Sequence, residues 1–112
     1  MAFGFPYPRF AESRTFDLSQ EELHAIVESA LENLHWPYKL LWGKEFEARI
    51  PTTNWSWHHD FKVNILPGGV IQAQSKSAYQ EMFFDLGRNK RNVQNFFAQI
   101  DQLKEQRLRK NS

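Results

Sequence analysis

Two stretches of this sequence hold residue types whose spacing could do chemistry. The first is "DLGRNKRN", residues 85–92, where Arg88, Asn89, Lys90 and Arg91 follow a lone Gly87 at the entrance to a helix. A helix start carries unpaired N–H groups and the positive end of the macrodipole, so it favours negative charge. Three cations there could complete a site for a phosphate or a carboxylate. They could equally be a capped entrance, with Asp85 or Asn89 accepting first-turn N–H groups and the cations paired or pointing to water. No Gly-Lys-Ser/Thr follows, so this is not a nucleotide phosphate loop.

The second stretch is "WSWHHDF", residues 55–61. Adjacent His58 and His59 on a strand project to opposite faces and cannot chelate one ion together. His58 and Asp60 share a face, but two ligands fall short of the four of a structural metal site. No metal and no cofactor is therefore implied. Ser and His residues are present without the surroundings of a nucleophile elbow, and no catalytic residue is assigned.

The elements that must carry these residues are readable from periodicity. Ser19 and Glu22 form a capping box ahead of Leu23, Ile26, Val27, Ala30, Leu31 and Leu34 at helical spacing, predicting a helix over 20–34. The period then changes to two. Trp36, Tyr38, Leu40 and Trp42 share one strand face, with a turn at Gly43. Phe46, Ala48 and Ile50 share one face of the next strand, opposite Glu45, Glu47 and Arg49. Trp55, Trp57, His59, Phe61, Val63 and Ile65 share one face of a third. "LPGG" supplies a hairpin turn, and Ile71 and Ala73 point inward on the return strand. A second helix is expected from about Asn89, burying Val93, Phe96, Phe97, Ile100 and Leu103, with residues 107–112 fraying. "RTFDLS", residues 14–19, predicts a short first strand. Residues 1–12, with Phe3, Phe5 and Tyr7 alternating around Pro6 and Pro8, predict an extended arm that caps the core edge, stays disordered or meets a partner.

Clean alternation means that one sheet face is wet, because strands covered on both faces read as continuous apolar runs. The expected fold is thus α+β: a two-layer sandwich, an antiparallel sheet of four to five strands with two helices packed on one face, in a single domain over 13–112. The wet face would display His58, Asp60, Lys62, Asn64, Gln72, Gln74 and Lys76. A polar face of this kind can hold a protein partner, and an exposed edge strand can pair with a second copy. Single-stranded nucleic acid needs aromatic platforms on that face, and the aromatics point inward.

The run "QSKSAYQEMFFDLGRNKRNVQNFFAQI" resembles the closing part of a group of small uncharacterised bacterial domains, which end in a Ser-x-Ser strand, a variable loop, Asp-Leu-Gly-x-Asn and a basic amphipathic helix. Ser75, Ser77, Asp85, Leu86, Gly87 and Asn89 occupy the matching places, and "NWSWHHDFKVNILPGGVIQAQS" is similar as well. His58 and His59 stand where that group has a turn closer to Ser-Trp-Gly-Glu. The resemblance covers about half of the chain. It implies architecture and brings no catalytic residue.

Bulk properties bound the function further. The 112 residues include 10 Phe, 4 Trp and 3 Tyr, enough ring volume for one substantial core. There is no cysteine, which removes disulfides, thiolate metal sites and cysteine nucleophiles. No apolar run approaches the ~20 residues of a membrane span, and "MAFGFPYPRF" lacks the pattern of a signal peptide, so a cytoplasmic protein is expected. Residues 1–66 hold six Lys/Arg against nine Asp/Glu, a balance of −3, and residues 67–112 hold eight against four, a balance of +4. That mildly basic C-terminal part is far from the basic stripe of a dedicated nucleic-acid binder. Two readings follow: a small non-catalytic binding or protein-interaction domain, or a domain that binds or acts on a small anion at residues 88–91.

Overall fold

A computed structural model describes residues 9–41, 45–51, 58–77 and 85–110. The chain runs β1 (Arg9–Thr15), α1 (Gln20–Asn33), β2 (Tyr38–Leu41), β3 (Glu45–Pro51), β4 (His58–Leu66), β5 (Val70–Ser77) and α2 (Asp85–Lys110). The five strands form one antiparallel sheet in the order β1-β5-β4-β3-β2. Strands β2 to β5 form a meander, and β1 closes onto its last strand after α1 has carried the chain to the far edge. Both helices pack on the same side, α1 against α2 and α2 over β1 and β5. The expected α+β two-layer sandwich is what forms.

Helix α1 starts where its capping box puts it. The Glu22 amide donates to Ser19 Oγ (3.1 Å) and the Ser19 amide donates to Glu22 Oε1 (3.0 Å). The Ser19 amide first, and then the Ser19 hydroxyl, hold the Glu22 carboxyl below its ordinary pKa. The helix ends in a Schellman motif: the Trp36 amide donates to the Leu31 carbonyl and the His35 amide to the Glu32 carbonyl, both at 3.1 Å. His35 takes the left-handed position, φ 61°, which glycine usually occupies. The motif tucks Trp36 into the core just ahead of β2, so Trp36 is buried without belonging to the strand.

The core lies between the sheet and the helices. Phe46, Phe61, Val63, Ile71 and Ala73 meet Leu23, Val27, Leu31, Val93, Phe96, Phe97 and Ile100, all with no exposed surface. Rings link the layers: Trp36 to Phe61 at 4.9 Å between centroids, Phe61 to Phe96 at 5.1 Å, and Phe96 to Phe97 at 5.4 Å. Burying each of these large side chains contributes about 1.5–3 kcal/mol. Phe61 and Val63 are enclosed while Lys62 is exposed, so the register read from alternation holds on β4.

Two boundaries and the placement of three apolar side chains differ from the sequence expectation. The first strand spans Arg9–Thr15, not 14–19, so residues 9–12 belong to the sheet and not to an arm. Phe16 and Leu18 turn inward after the strand and join the core. Helix α2 begins at Asp85, so Gly87 lies inside its first turn and Asn89 one turn in, not at the cap. Leu40, on the edge strand beyond the helices, remains 42% exposed. Phe3, Phe5, Tyr7, Trp42, Gly43, Trp55 and Trp57 lie outside the described residues.

The β4–β5 turn has Pro67 followed by Gly68 at φ 85°, the pattern of a type II turn. Gly69, at φ 79°, is held by the end of β1, where the Phe16 amide donates to its carbonyl (2.8 Å). A Cβ at Gly69 would run into the Phe16 carbonyl oxygen, whereas one at Gly68 would meet open space.

Candidate interaction face

Among the described residues no helix lies over the outer face of the sheet, and strand register arranges its side chains in rows. One row runs Arg9, Lys76, Asp60, Arg49 across β1, β5, β4 and β3. The next runs Ala11, Gln74, Lys62, Glu47, Lys39, and a third runs Ser13, Gln72, Asn64, Glu45, Leu41. Asp60 thus stands between Lys76 and Arg49, and Glu47 stands between Lys62 and Lys39. Opposite charges in facing positions contribute about 0.2–1 kcal/mol per pair. The alternation makes the centre of the face a charge lattice with a small cationic excess.

Two shallow depressions open there. One, about 310 Å³, lies among Arg9, Glu47, Asp60, Lys62, Gln74 and Lys76. The other, about 270 Å³, lies between Pro37, Tyr38, Lys39, Glu47, Ala48, Arg49 and Asp60. Glu47 and Asp60 border both. The Tyr38 hydroxyl donates to Glu32 Oε2 (3.3 Å). Desolvation, then the charges of Glu28 and Glu32, raise its pKa, which keeps the phenol a neutral donor. This surface can present ammonium, guanidinium, carboxylate and amide groups to a polar partner. Among the described residues, both depressions on it are open to water.

Six of the seven residues expected on the wet face (Asp60, Lys62, Asn64, Gln72, Gln74 and Lys76) share it, and the His58 backbone lies opposite Pro51 in register. Sequence reasoning left Arg9, Lys39, Glu47 and Arg49 out of the site. The Glu45/Glu47/Arg49 alternation on β3 was the signal for two of them. Arg9 was hidden by its place in the expected arm.

The expected anion cluster is divided. Arg88, Lys90 and Arg91 are exposed, but Asn89 is fully buried and faces the sheet. Its Oδ1 accepts from Ser75 Oγ (2.8 Å), and Asn92 Nδ2 donates to the same Ser75 oxygen (3.1 Å). Ser75 and Asn89, two residues of the Ser-x-Ser … Asp-Leu-Gly-x-Asn pattern, therefore clamp α2 to β5. His59 is buried on the inner face, between Ile50 and Ser77 in register. His24 lies over the Phe46 ring (5.0 Å) with Glu28 Oε1 3.6 Å from its Nδ1. Among the described residues, no three His, Asp or Glu side chains gather as a metal-ligand set, and no helix is long and apolar enough to cross a membrane.

Scanned against models of known protein families, the chain matches none, and a search of curated proteins returns no match.

Proposed function

We propose that this chain is a small non-catalytic protein-interaction domain of the architecture seen in the uncharacterised bacterial group it resembles, acting in the cytoplasm. The observation that carries the reading is the outer face of the sheet, which no described helix covers, a lattice of both charges with shallow, open depressions. Such a surface recognises another polar protein surface by charge register and supplies no shielded reaction site.

Matched affinity baits test it. The wild-type chain, a Lys62→Glu/Lys76→Glu variant and a Lys90→Glu variant, all with the same melting behaviour, are used to capture partners. A protein held by the wild type and by Lys90→Glu but lost from Lys62→Glu/Lys76→Glu supports the outer face. The same retention by all three baits removes that face from the function.

The alternative, small-anion binding or catalysis at the start of α2, keeps Arg88, Lys90 and Arg91 but loses Asn89 to the core, and is the weaker reading. Melting with phosphate, sulfate and nucleotides separates the two. A ligand at 100 times its dissociation constant adds about 2.7 kcal/mol. A rise of that size, absent from Arg88→Ala/Arg91→Ala, would transfer the function to the helix start.

A further inference from the structure

We propose that β1 is the docking strand for a second copy of this chain, the two β1 strands pairing antiparallel about a two-fold axis at Ser13. This surface is separate from the outer face, and the inference stands if the outer-face reading fails.

The sheet has two edges, and they differ. The β2 edge is four residues long, follows Pro37 and carries Lys39, the usual devices that blunt an edge. The β1 edge is seven residues long, pairs with β5 in unbroken register from Arg9↔Lys76 to Thr15↔Val70, and contains neither Pro nor Lys. Among the described residues no strand pairs with its outer side, and the outward backbone groups can be assigned. The Phe16 amide points to Gly69, so by antiparallel alternation Phe10, Glu12 and Arg14 also turn their backbone groups to β5. Arg9, Ala11, Ser13 and Thr15 then turn theirs outward. All four side chains are exposed, and three of them are small.

Charge selects the register. With the axis at Ser13, Glu12 of each copy faces Arg14 of the other in the close, non-hydrogen-bonded pairs, and Ser13 faces itself. About six backbone hydrogen bonds form. With the axis at Glu12, two carboxylates would face each other; with the axis at Ala11, Glu12 would face Phe10. Only the Ser13 register is charge-complementary. It also extends a network already present, because Arg14 Nε donates to Glu12 (2.5 Å), its Nη1 lies 3.4 Å from Asp101, and its guanidinium sits 4.5 Å from the Phe97 ring centre. The helices fit as well. Helix α2 packs over both β1 and β5. At ~4.8 Å between strands, the two-fold sets the α2 helices roughly 10 Å apart, a normal packing distance. The product is one ten-stranded sheet with all helices on one side and a continuous outer face.

Sedimentation equilibrium on the full chain tests this. The wild type should weigh twice the 13.3 kDa chain mass at ~100 µM, a concentration at which a micromolar pair is formed. Ser13→Pro deletes an outward amide without touching a β1–β5 hydrogen bond. It should weaken the dimer roughly tenfold or more, with the melt at monomeric dilution unchanged. Glu12→Arg and Arg14→Glu should each be monomeric alone, and an equal mixture should restore the dimer, since both facing pairs become opposite in sign again. In the wild type, exchange of the Ala11, Ser13 and Thr15 amides should slow with concentration while that of Glu12 and Arg14 stays constant. A single-chain mass at ~100 µM, a dimer that Ser13→Pro leaves intact, or a mixture that stays monomeric overturns the proposal.

Discussion

The Ser75–Asn89 contact is the most direct place to measure what holds α2 on the sheet. Both side chains are fully enclosed, and the hydroxyl donates to the amide oxygen at 2.8 Å. A neutral hydrogen bond of this kind contributes a net 0.5–1.5 kcal/mol, but a buried group stripped of its partner costs about 1–3 kcal/mol. Ser75→Ala removes the Ser75 hydroxyl from the Asn89 oxygen and should cost about 1–3 kcal/mol. Asn89→Ala takes the acceptor from the Ser75 hydroxyl, which still accepts from Asn92, and also leaves a small void, so about 2–4 kcal/mol is expected. The Asn92 amide also loses Ser75 as acceptor in the first variant, but Asn92 is only half-buried and water replaces the loss. The double variant removes both partners, so the two costs should not add. The coupling should be about 1 kcal/mol, within the range for residues in contact. Urea unfolding followed by circular dichroism, at a single low protein concentration, reads all four stabilities, and the m-value should stay constant. At about 2.1 cal/mol/K per residue, a loss of 3 kcal/mol lowers the melting temperature of this 112-residue chain by roughly 13 °C. Strict additivity, with coupling below about 0.3 kcal/mol, would show that the two groups do not share a bond.

Three further outcomes follow from local backbone and cap geometry. Gly69→Ala should destabilise by more than about 3 kcal/mol, combining positive φ with collision against the Phe16 carbonyl, while Gly68→Ala should cost only about 1 kcal/mol because its Cβ is free. Equal losses in thermal melts would mean that β1 does not close on the turn as described. His35→Gly should raise stability by about 0.5–1 kcal/mol, since the left-handed residue of the Schellman motif is exposed and has no need of its ring; a lower melting temperature would count against that conformation. Ser19→Ala should cost about 1 kcal/mol at pH 7. The Glu22 carboxyl titrates lower when folded than when unfolded. Its cap contribution is therefore complete above the unfolded value of about 4.3 and is lost as pH falls through the folded one. The gap between Ser19→Ala and wild type should narrow from pH 5 to pH 3, and a gap that widens would contradict the cap.

What the sequence determined by itself is whatever depends on neighbours a few residues away. A capping box is complete within four residues, so Ser19 and Glu22 marked the start of α1 without any tertiary help. Alternation on β3, β4 and β5 assigned inner and outer faces because the pleat has period two whatever the strand pairs with. From that came the one-sided sheet and most of its outer face. Tertiary structure decided everything that depends on partners far along the chain. Nothing local in "RFAESRT" announces that it lies beside β5. Its inner face carries Glu12 and Arg14, which look like solvent residues until Phe97 and Asp101 of α2 are brought beside them. Asn89 has the composition of a cap, and only the proximity of Ser75 turns it inward and splits it from Arg88, Lys90 and Arg91. The physical reason is the same in each case. Periodicity reports the shape of one element, whereas pairing and docking are selected by the burial and hydrogen bonding of groups that meet only once the chain has folded.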